Sequence, residues 1–369
     1  MRLIVAAAVV WLAAAPSADS VQKASPSGFS FVSSPAVPGT AALTGVAAVS
    51  EKNVWAVGQA GTRTLVEHWN GTRWSVVASP HPGTSSQLQA VSAGGRAVWA
   101  VGRFASSTGG GRLVVRWTGS KWVRVPLPSR LAGGLLDTVH VFSNTNVWAG
   151  GDDAQDSFLI HYDGHAWTSI TPSPLADLTD AQITGIAAAD PAHLSVSAFT
   201  NDPGANPPAG FMYSEAGAAG WLEEGAIRGP MTGISVDDQW NVWAVGSQVD
   251  HTTKLRSPYL MRLHGDVVTA FFDASPPPYT YTTDHVLTAV TAISANNVWA
   301  VGYRVSAVTG RLCTLIYTYY GAGVIDLGGP NVPGVDNQLG AIAAVPGVYD
   351  LWAVGSAGSQ PLILHAPVS

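Results

Sequence analysis

The stretch Asn53-Val54-Trp55-Ala56-Val57-Gly58 returns along the chain and decides the fold. Five further copies keep its Trp-Ala pair, at residues 97–102, 146–150, 241–246, 297–302 and 350–355. A degenerate copy at residues 193–198 has Ser195 where the others have Trp. Trp55 and Trp99 are 44 residues apart, whereas Trp243 and Trp299 are 56 residues apart. A recurring spacing in this range indicates a repeat architecture in which each copy is one structural unit.

Residues 43–80 show the pattern of one unit. Short runs rich in apolar and small residues predict four strands, labelled a to d, at 43–49, 54–58, 64–69 and 74–79. Asn70-Gly71 predicts a tight hairpin between strands c and d, because both residues tolerate positive φ. Pro80 ends strand d, since proline has no backbone donor for a sheet ladder. Four antiparallel strands in a repeat of this length are typical of a propeller blade.

The sequence therefore predicts an all-β fold, a seven-bladed β-propeller of four-stranded antiparallel blades. The predicted blades lie near residues 43–80, 88–128, 135–172, 183–227, 231–274, 287–327 and 339–369. The last of these has runs for strands a, b and c only, while residues 29–35 resemble the strand d run at 74–80. We expect residues 29–35 to be the closing strand that completes the last blade, within a single domain over 29–369.

Composition limits the class of protein and its surroundings. Charged residues are 11% of the 369, the formal net charge is −6, and no Lys/Arg tract occurs, which excludes a nucleic-acid-binding surface. Residues 1–20 have the pattern of a secretory signal peptide and residues 21–28 that of a linker, so a secreted protein without a later membrane span is expected. Cys313 is alone, so no internal disulfide can form; a buried thiol and a monomer are expected.

The copies built on Asn-Val-Trp-Ala-Val-Gly resemble the NDVWAVG repeats of secreted bacterial β-propellers, a group loosely related to kelch/galactose-oxidase-like and tectonin-like proteins. The resemblance covers residues 28–369 and implies the fold and not a function. The chain departs from these relatives in two places. Within the copies of the motif the kelch Gly-Gly doublet occurs once, at Gly150-Gly151, and Cys313 lies mid-strand without the rest of a copper-site pattern.

Loop lengths predict which face of the disc binds a ligand. The a–b turns and c–d hairpins are short throughout, whereas the b–c and d–a loops vary, and binding residues concentrate on variable loops held by a rigid scaffold. The candidate ligand-binding residues are Tyr279, Tyr281 and His285, with Asp250 and Arg256 as polar partners. Aromatic faces beside polar groups suit stacking on a sugar, although packing among loop neighbours would give the same pattern.

Catalytic and metal-binding patterns are weak. The sequence has no nucleophile elbow, phosphate loop or zinc motif, so no catalytic residue, metal ligand or cofactor is assigned. Asp152, Asp153 and Asp156 could bind calcium but lack the glycine and bidentate Glu of a calcium loop. His68, His161 and His365 occupy one strand c column in different blades, which favours a structural role over a shared metal ion.

The favoured function is therefore non-catalytic. The b–c and d–a loop rim would recognise an extracellular glycan or a cell-surface protein. One alternative is a hydrolase or lyase acting on polysaccharide, with carboxylates on that rim. The other is a purely structural interaction module.

Overall fold

The computed structural model describes residues 28–152, 157–170, 181–200, 209–215, 221–250, 252–264, 267–273 and 281–367. Tyr279, Asp153, Asp156 and the predicted signal peptide lie outside these residues. Within them, one 3-10 turn, Ser129–Leu131, accompanies strands that all pair antiparallel.

The strands of the first four sheets follow chain order from the inside of the fold outwards. They are β2 (Ala41–Ser50), β3 (Asn53–Ala60), β4 (Arg63–Trp69) and β5 (Trp74–Val76); β6 (Ser85–Gly94), β7 (Ala97–Ser106), β8 (Gly109–Trp117) and β9 (Trp122–Arg124); β10 (Leu135–Ser143), β11 (Asn146–Asp152), β12 (Ser157–Tyr162) and β13 (Trp167–Ser169); and β14 (Ala181–Asp190), β15 (His193–Thr200), β16 (Ala209–Glu215) and β17 (Trp221–Arg228).

The remaining three sheets have the same antiparallel order. They are β18 (Met231–Val236), β19 (Val242–Val249), β20 (Arg256–His264) and β21 (Val267–Asp273); β22 (His285–Ser294), β23 (Asn297–Val305), β24 (Leu312–Tyr319) and β25 (Val324–Asp326); and β26 (Asn337–Ala344), β27 (Asp350–Ala357) and β28 (Gln360–Pro367), with β1 (Ser30–Phe31) at the outer edge of β28.

The innermost strands of the seven sheets form a ring. Each contacts the innermost strand of the next sheet, and β26 contacts β2, so the last sheet lies against the first. The fold is an all-β β-propeller with a central channel along its axis.

The N-terminal stretch corrects the predicted closure. The prediction of a closing strand over residues 29–35 is wrong, because the ladder with β28 consists only of Ser30 opposite His365 and Phe31 opposite Leu364. After it, the Val32 N–H still donates to Ile363, but Ser34 turns to the first sheet and donates to the Glu67 carboxylate at 2.9 Å. Pro35 lacks the donor that would continue the ladder. The stretch therefore bridges the last and first sheets and does not form a full closing strand.

The tryptophan column is buried, as the sequence predicts. Trp55, Trp99, Trp243 and Trp352 are each at most 2% exposed. Each indole packs against an aromatic ring of the next sheet: Trp55 meets Trp122 at 5.3 Å, and Trp352 meets Trp74 at 5.2 Å. Burying an indole removes about 200 Å² from water, so this column is a main source of stability.

Phe29 fills the equivalent place beside the seventh sheet. Its ring is 1% exposed and meets Trp299 edge-on at 5.9 Å. The N-terminal stretch therefore contributes more to the core through this one ring than through its two-residue ladder.

The glycine that ends the motif is required by a close backbone approach. A Cβ on Gly58 or Gly102 would meet the carbonyl oxygen of Ala42 or Gln87 well inside 3.0 Å, at the point where the facing strand has a bulge. The fourth sheet has Ala198 at this position, opposite Ile183. That sheet therefore accommodates one methyl group that its neighbours exclude.

Threonine hydroxyls join neighbouring sheets around the channel. Thr44, Thr184, Thr232 and Thr288 share one register position, and each donates to a carbonyl of the next sheet at 2.7–2.8 Å. These bonds fix the spacing of the innermost strands and so the width of the channel.

Two other predictions from the sequence concern the lone cysteine and membrane spans. Cys313 is free but only partly buried, so the expectation of a buried thiol is wrong. No helix among the described residues is long and apolar enough to cross a bilayer.

Candidate functional site

The predicted rim contains a cluster around the start of β22. His285 begins β22 and is 9% exposed, and the ring of Tyr281 lies 4.1 Å from the imidazole. Burial, followed by the charge of Arg304, lowers the pKa of His285 to about 4. The imidazole is therefore neutral at physiological pH, and its buried Nδ1 has no hydrogen-bond partner among the described residues. The Tyr281 hydroxyl lies 3.0 Å from that of Tyr317.

Arg256 joins this cluster through Asp284, a residue that the sequence did not single out as its partner. Nε and Nη2 of Arg256 donate to Oδ2 at 2.9 and 2.7 Å, and its backbone N–H donates to Oδ1 at 2.9 Å. The ring of Tyr303 lies 5.9 Å from the guanidinium. This geometry ties the start of β20 to the connection that carries Tyr281 and leads into His285.

Asp250 does not share this arrangement. Its Oδ1 accepts from the backbone N–H groups of Thr252 and Thr253 at 2.9 and 2.6 Å and from the Thr253 hydroxyl at 2.9 Å. The carboxylate therefore holds its own turn. Tyr279 lies outside the described residues.

A cavity of about 310 Å³ occupies the channel mouth on the same rim. Its polar lining comes from the starts of several innermost strands and from one residue each of β23 and β27: Thr44, Gln89, Asp137, Thr288, Gln338, Tyr303 and Ser356. Because Tyr303 also faces Arg256, the cavity and the rim cluster are continuous through this side chain.

Asp137 is the carboxylate among the described residues that line this cavity, and the sequence alone did not indicate it. The residue takes the register position that Thr44, Thr184, Thr232 and Thr288 hold elsewhere. Burial raises the pKa of Asp137, and the donated hydrogen bond from Gln182 Nε2, at 2.6 Å, opposes that change. An acid in a threonine column is the signal that could have identified it.

Amide side chains extend this network along the channel wall. Gln87 Nε2 donates to Gln89 Oε1 at 2.8 Å, and Arg103 donates to Gln87 Oε1 at 3.3 Å. The wall of the second to fourth sheets is thus rich in amide donors and acceptors. Such groups can match the hydroxyls or amides of an uncharged polar ligand.

The histidine column has a structural role. His68, His161 and His365 each stack on the motif Trp of their own sheet, with ring centroids 4.0–4.3 Å apart. Each also bonds through Nε2 to the first residue of strand b, which is Asn53, Asn146 or Asp350.

The part of the chain that the structure describes contains no group of three or more His, Cys, Asp or Glu side chains that could share a metal ion. Of the possible calcium ligands, Asp152 is described, and its backbone oxygen accepts from Arg112 at 3.2 Å.

Comparison with known proteins establishes the fold only. No family model and no curated protein matches the sequence. A structure described as YCF48 bound to D1 peptide is similar at a TM-score of 0.59 and 11% identity, over 93% of this chain and 97% of that chain. A polysaccharide lyase, PL25 ulvan lyase bound to -[GlcA(1-4)Rha3S]-, is similar at 0.53 and 10% identity, over 86% and 92%. A second structure of that lyase family gives 0.55 and 9%, over 88% and 93%.

Proposed function

We propose that this chain is an exported, non-catalytic binding protein that recognises an extracellular glycan at the channel mouth on the b–c and d–a rim. The observation that carries the proposal is the continuity, through Tyr303, of a polar cavity of about 310 Å³ with the rim cluster of Arg256, Tyr281 and His285. A pocket that offers convergent polar groups and an aromatic ring has the usual features of a ligand site.

The chemistry of the lining favours a sugar. Gln89 and Gln338 can donate and accept hydrogen bonds, and the Thr288 oxygen and Asp137 accept, so adjacent hydroxyls of a pyranose would find partners. The Tyr303 ring offers a face for the C–H groups of the same sugar. The peptide-bound and glycan-bound structures of similar fold show that a propeller can carry either kind of ligand.

The test is a glycan array probed with the mature chain and two variants, Tyr303→Ala and Gln338→Ala. We expect both variants to lose at least tenfold in affinity for the glycan that the wild type binds, while circular dichroism shows an unchanged fold. Val308→Ala is the matched control, since Val308 lies between β23 and β24 on the same rim and is 93% exposed. Equal binding by wild type and both variants would contradict the proposal.

A cell-surface protein is the second candidate partner, because Val308 is 93% exposed and a protein could cover this apolar side chain, which a sugar would not need. This candidate is favoured if the glycan array shows no binding and a peptide library retains the wild type but not Val308→Ala. A hydrolase would need two carboxyl groups, and Asp137 is the one that lines the cavity among the described residues. Incubation with each bound polysaccharide, followed by sizing of the products, separates binding from depolymerisation.

A further inference from the structure

Trp240 is an exposed aromatic residue with an unusual backbone. It lies in the turn between β18 and β19, on the rim opposite the channel-mouth cavity. Its side chain is 49% exposed, and its φ is 66°, in the left-handed region. A bulky side chain adopts this region only when the surrounding structure imposes it, and such residues concentrate at functional sites.

The turn that imposes this conformation is organised by one buried carboxylate. Asp237 is 5% exposed, and its Oδ1 accepts from the backbone N–H groups of Gln239 and Asn241 at 2.8 and 3.0 Å. Its Oδ2 accepts from Asn241 Nδ2 and from the Trp243 indole, both at 2.8 Å. Trp240 is therefore held on a rigid base, which limits the entropy that it would lose on binding.

The fold does not require tryptophan at this position. The same place in other units with equally long turns holds Lys52, Thr145, Ala192 and Asn296. Glycine would satisfy the positive φ without strain. A large indole in a strained and exposed place is thus a cost to folding that the turn itself does not explain.

Polar groups surround the indole. The ring of His193, which begins β15 in the neighbouring fourth sheet, meets Trp240 edge-on at 4.3 Å, and its Nδ1 lies 2.8 Å from Asp190. Gln239 and Asp238 are exposed beside it, and Asp238 Oδ1 accepts from the Ala295 N–H at 3.2 Å. One indole face fixed in place, with carboxylate and amide groups at its edge, matches a sugar ring that stacks through its C–H groups and hydrogen-bonds through its hydroxyls.

We propose that Trp240 is the stacking platform of a second glycan-binding site, on the a–b rim, for neutral β-1,4-linked pyranose chains. Equatorial linkages give such chains flat C–H faces that can lie on an indole. Asp190 and Asp238 disfavour acidic sugars, as does the net charge of −6. The site is separate from the channel mouth, so a chain with both sites would hold glycans on opposite faces of its disc.

The test uses cellohexaose, xylohexaose, mannohexaose and chitohexaose, titrated into the mature chain while the indole N–H signals are followed by NMR. Comparison with Trp240→Phe assigns the Trp240 signal. We expect at least one oligosaccharide to shift that signal, and Trp240→Ala to weaken its binding at least tenfold. Tyr320→Ala is the matched control, because Tyr320 is 52% exposed in a c–d hairpin on the same rim.

Trp240→Gly separates binding from folding. Because glycine relieves the positive φ, this variant should lose binding while its melting temperature stays equal or rises. The site is overturned if none of the four oligosaccharides shifts the Trp240 signal, or if Trp240→Ala binds as the wild type does. Tyr303→Ala should leave this binding unchanged, so failure at the channel mouth is distinguishable from failure here.

Discussion

Replacing Glu67 by Gln should make the stability of this protein less dependent on pH. Glu67 lies in β4, is fully buried, and receives the Ser34 hydroxyl on both carboxylate oxygens at 2.9 and 3.1 Å. Burial raises its pKa from 4.5 to about 7, and the Ser34 hydrogen bond opposes the change. Each pKa unit corresponds to about 1.4 kcal/mol, so ionising the folded protein costs about 3 kcal/mol.

The sign follows from proton uptake. Between pH 4.5 and 7 the folded protein keeps a proton on Glu67 that the unfolded chain has lost, so the free energy of unfolding falls as pH rises. The loss is complete above pH 7 and absent below 4.5. Glu67→Gln, which is always neutral, should therefore gain about 3 kcal/mol on wild type between pH 4.5 and pH 8.5.

Urea unfolding at these two pH values measures the difference. Glu51→Gln is the control, since Glu51 is exposed in the turn after β2 and the same change there should give the same result at both pH values. If Glu67→Gln differs from wild type by one constant amount at both pH values, the buried carboxylate does not titrate as described.

Two further changes test the packing. Phe29→Ala should lower the free energy of unfolding by about 3–5 kcal/mol, because the ring is 1% exposed against Trp299, whereas Val308→Ala should stay within about 0.5 kcal/mol; equal urea midpoints for the two would refute the packing role of Phe29. Thr232→Val should cost about 1 kcal/mol by thermal unfolding, since it removes the 2.7 Å bond to Leu287, and a result no larger than that of Thr72→Val in an exposed hairpin would count against the inter-sheet bonds.

The repeat pattern predicted much of the scaffold because it comes from local physics. A Trp-Ala alternation between small-residue runs fits sheets stacked face to face, so the positions of the strands and the burial of Trp99 followed from the sequence. The extent of the closing strand did not follow, since Ser34 leaves β28 for Glu67, a contact between residues far apart in the chain.

The candidate site was predictable in place but not in detail. Loop lengths indicated the rim, yet the partner of Arg256 is Asp284, and Asp250 bonds within its own turn. Asp137 was missed because its neighbours in space, Gln89 and Gln182, come from other repeats. Trp240 was missed because positive φ in a non-glycine residue has no sequence pattern.

The indole column also decides how the ring opens. A linear array of repeats frays from its ends, but here the last sheet lies against the first, so no sheet is terminal. Opening must therefore begin at the weakest joint. The fourth sheet has Ser195 where the others have Trp, so a buried motif indole is missing from its joint with the fifth sheet, where the half-exposed Trp240 meets His193 instead. In a hydrogen-exchange experiment, the amide protons of β14, β15 and β18 should therefore exchange earlier than those of the innermost and second strands of the other sheets. The ring should open between the fourth and fifth sheets.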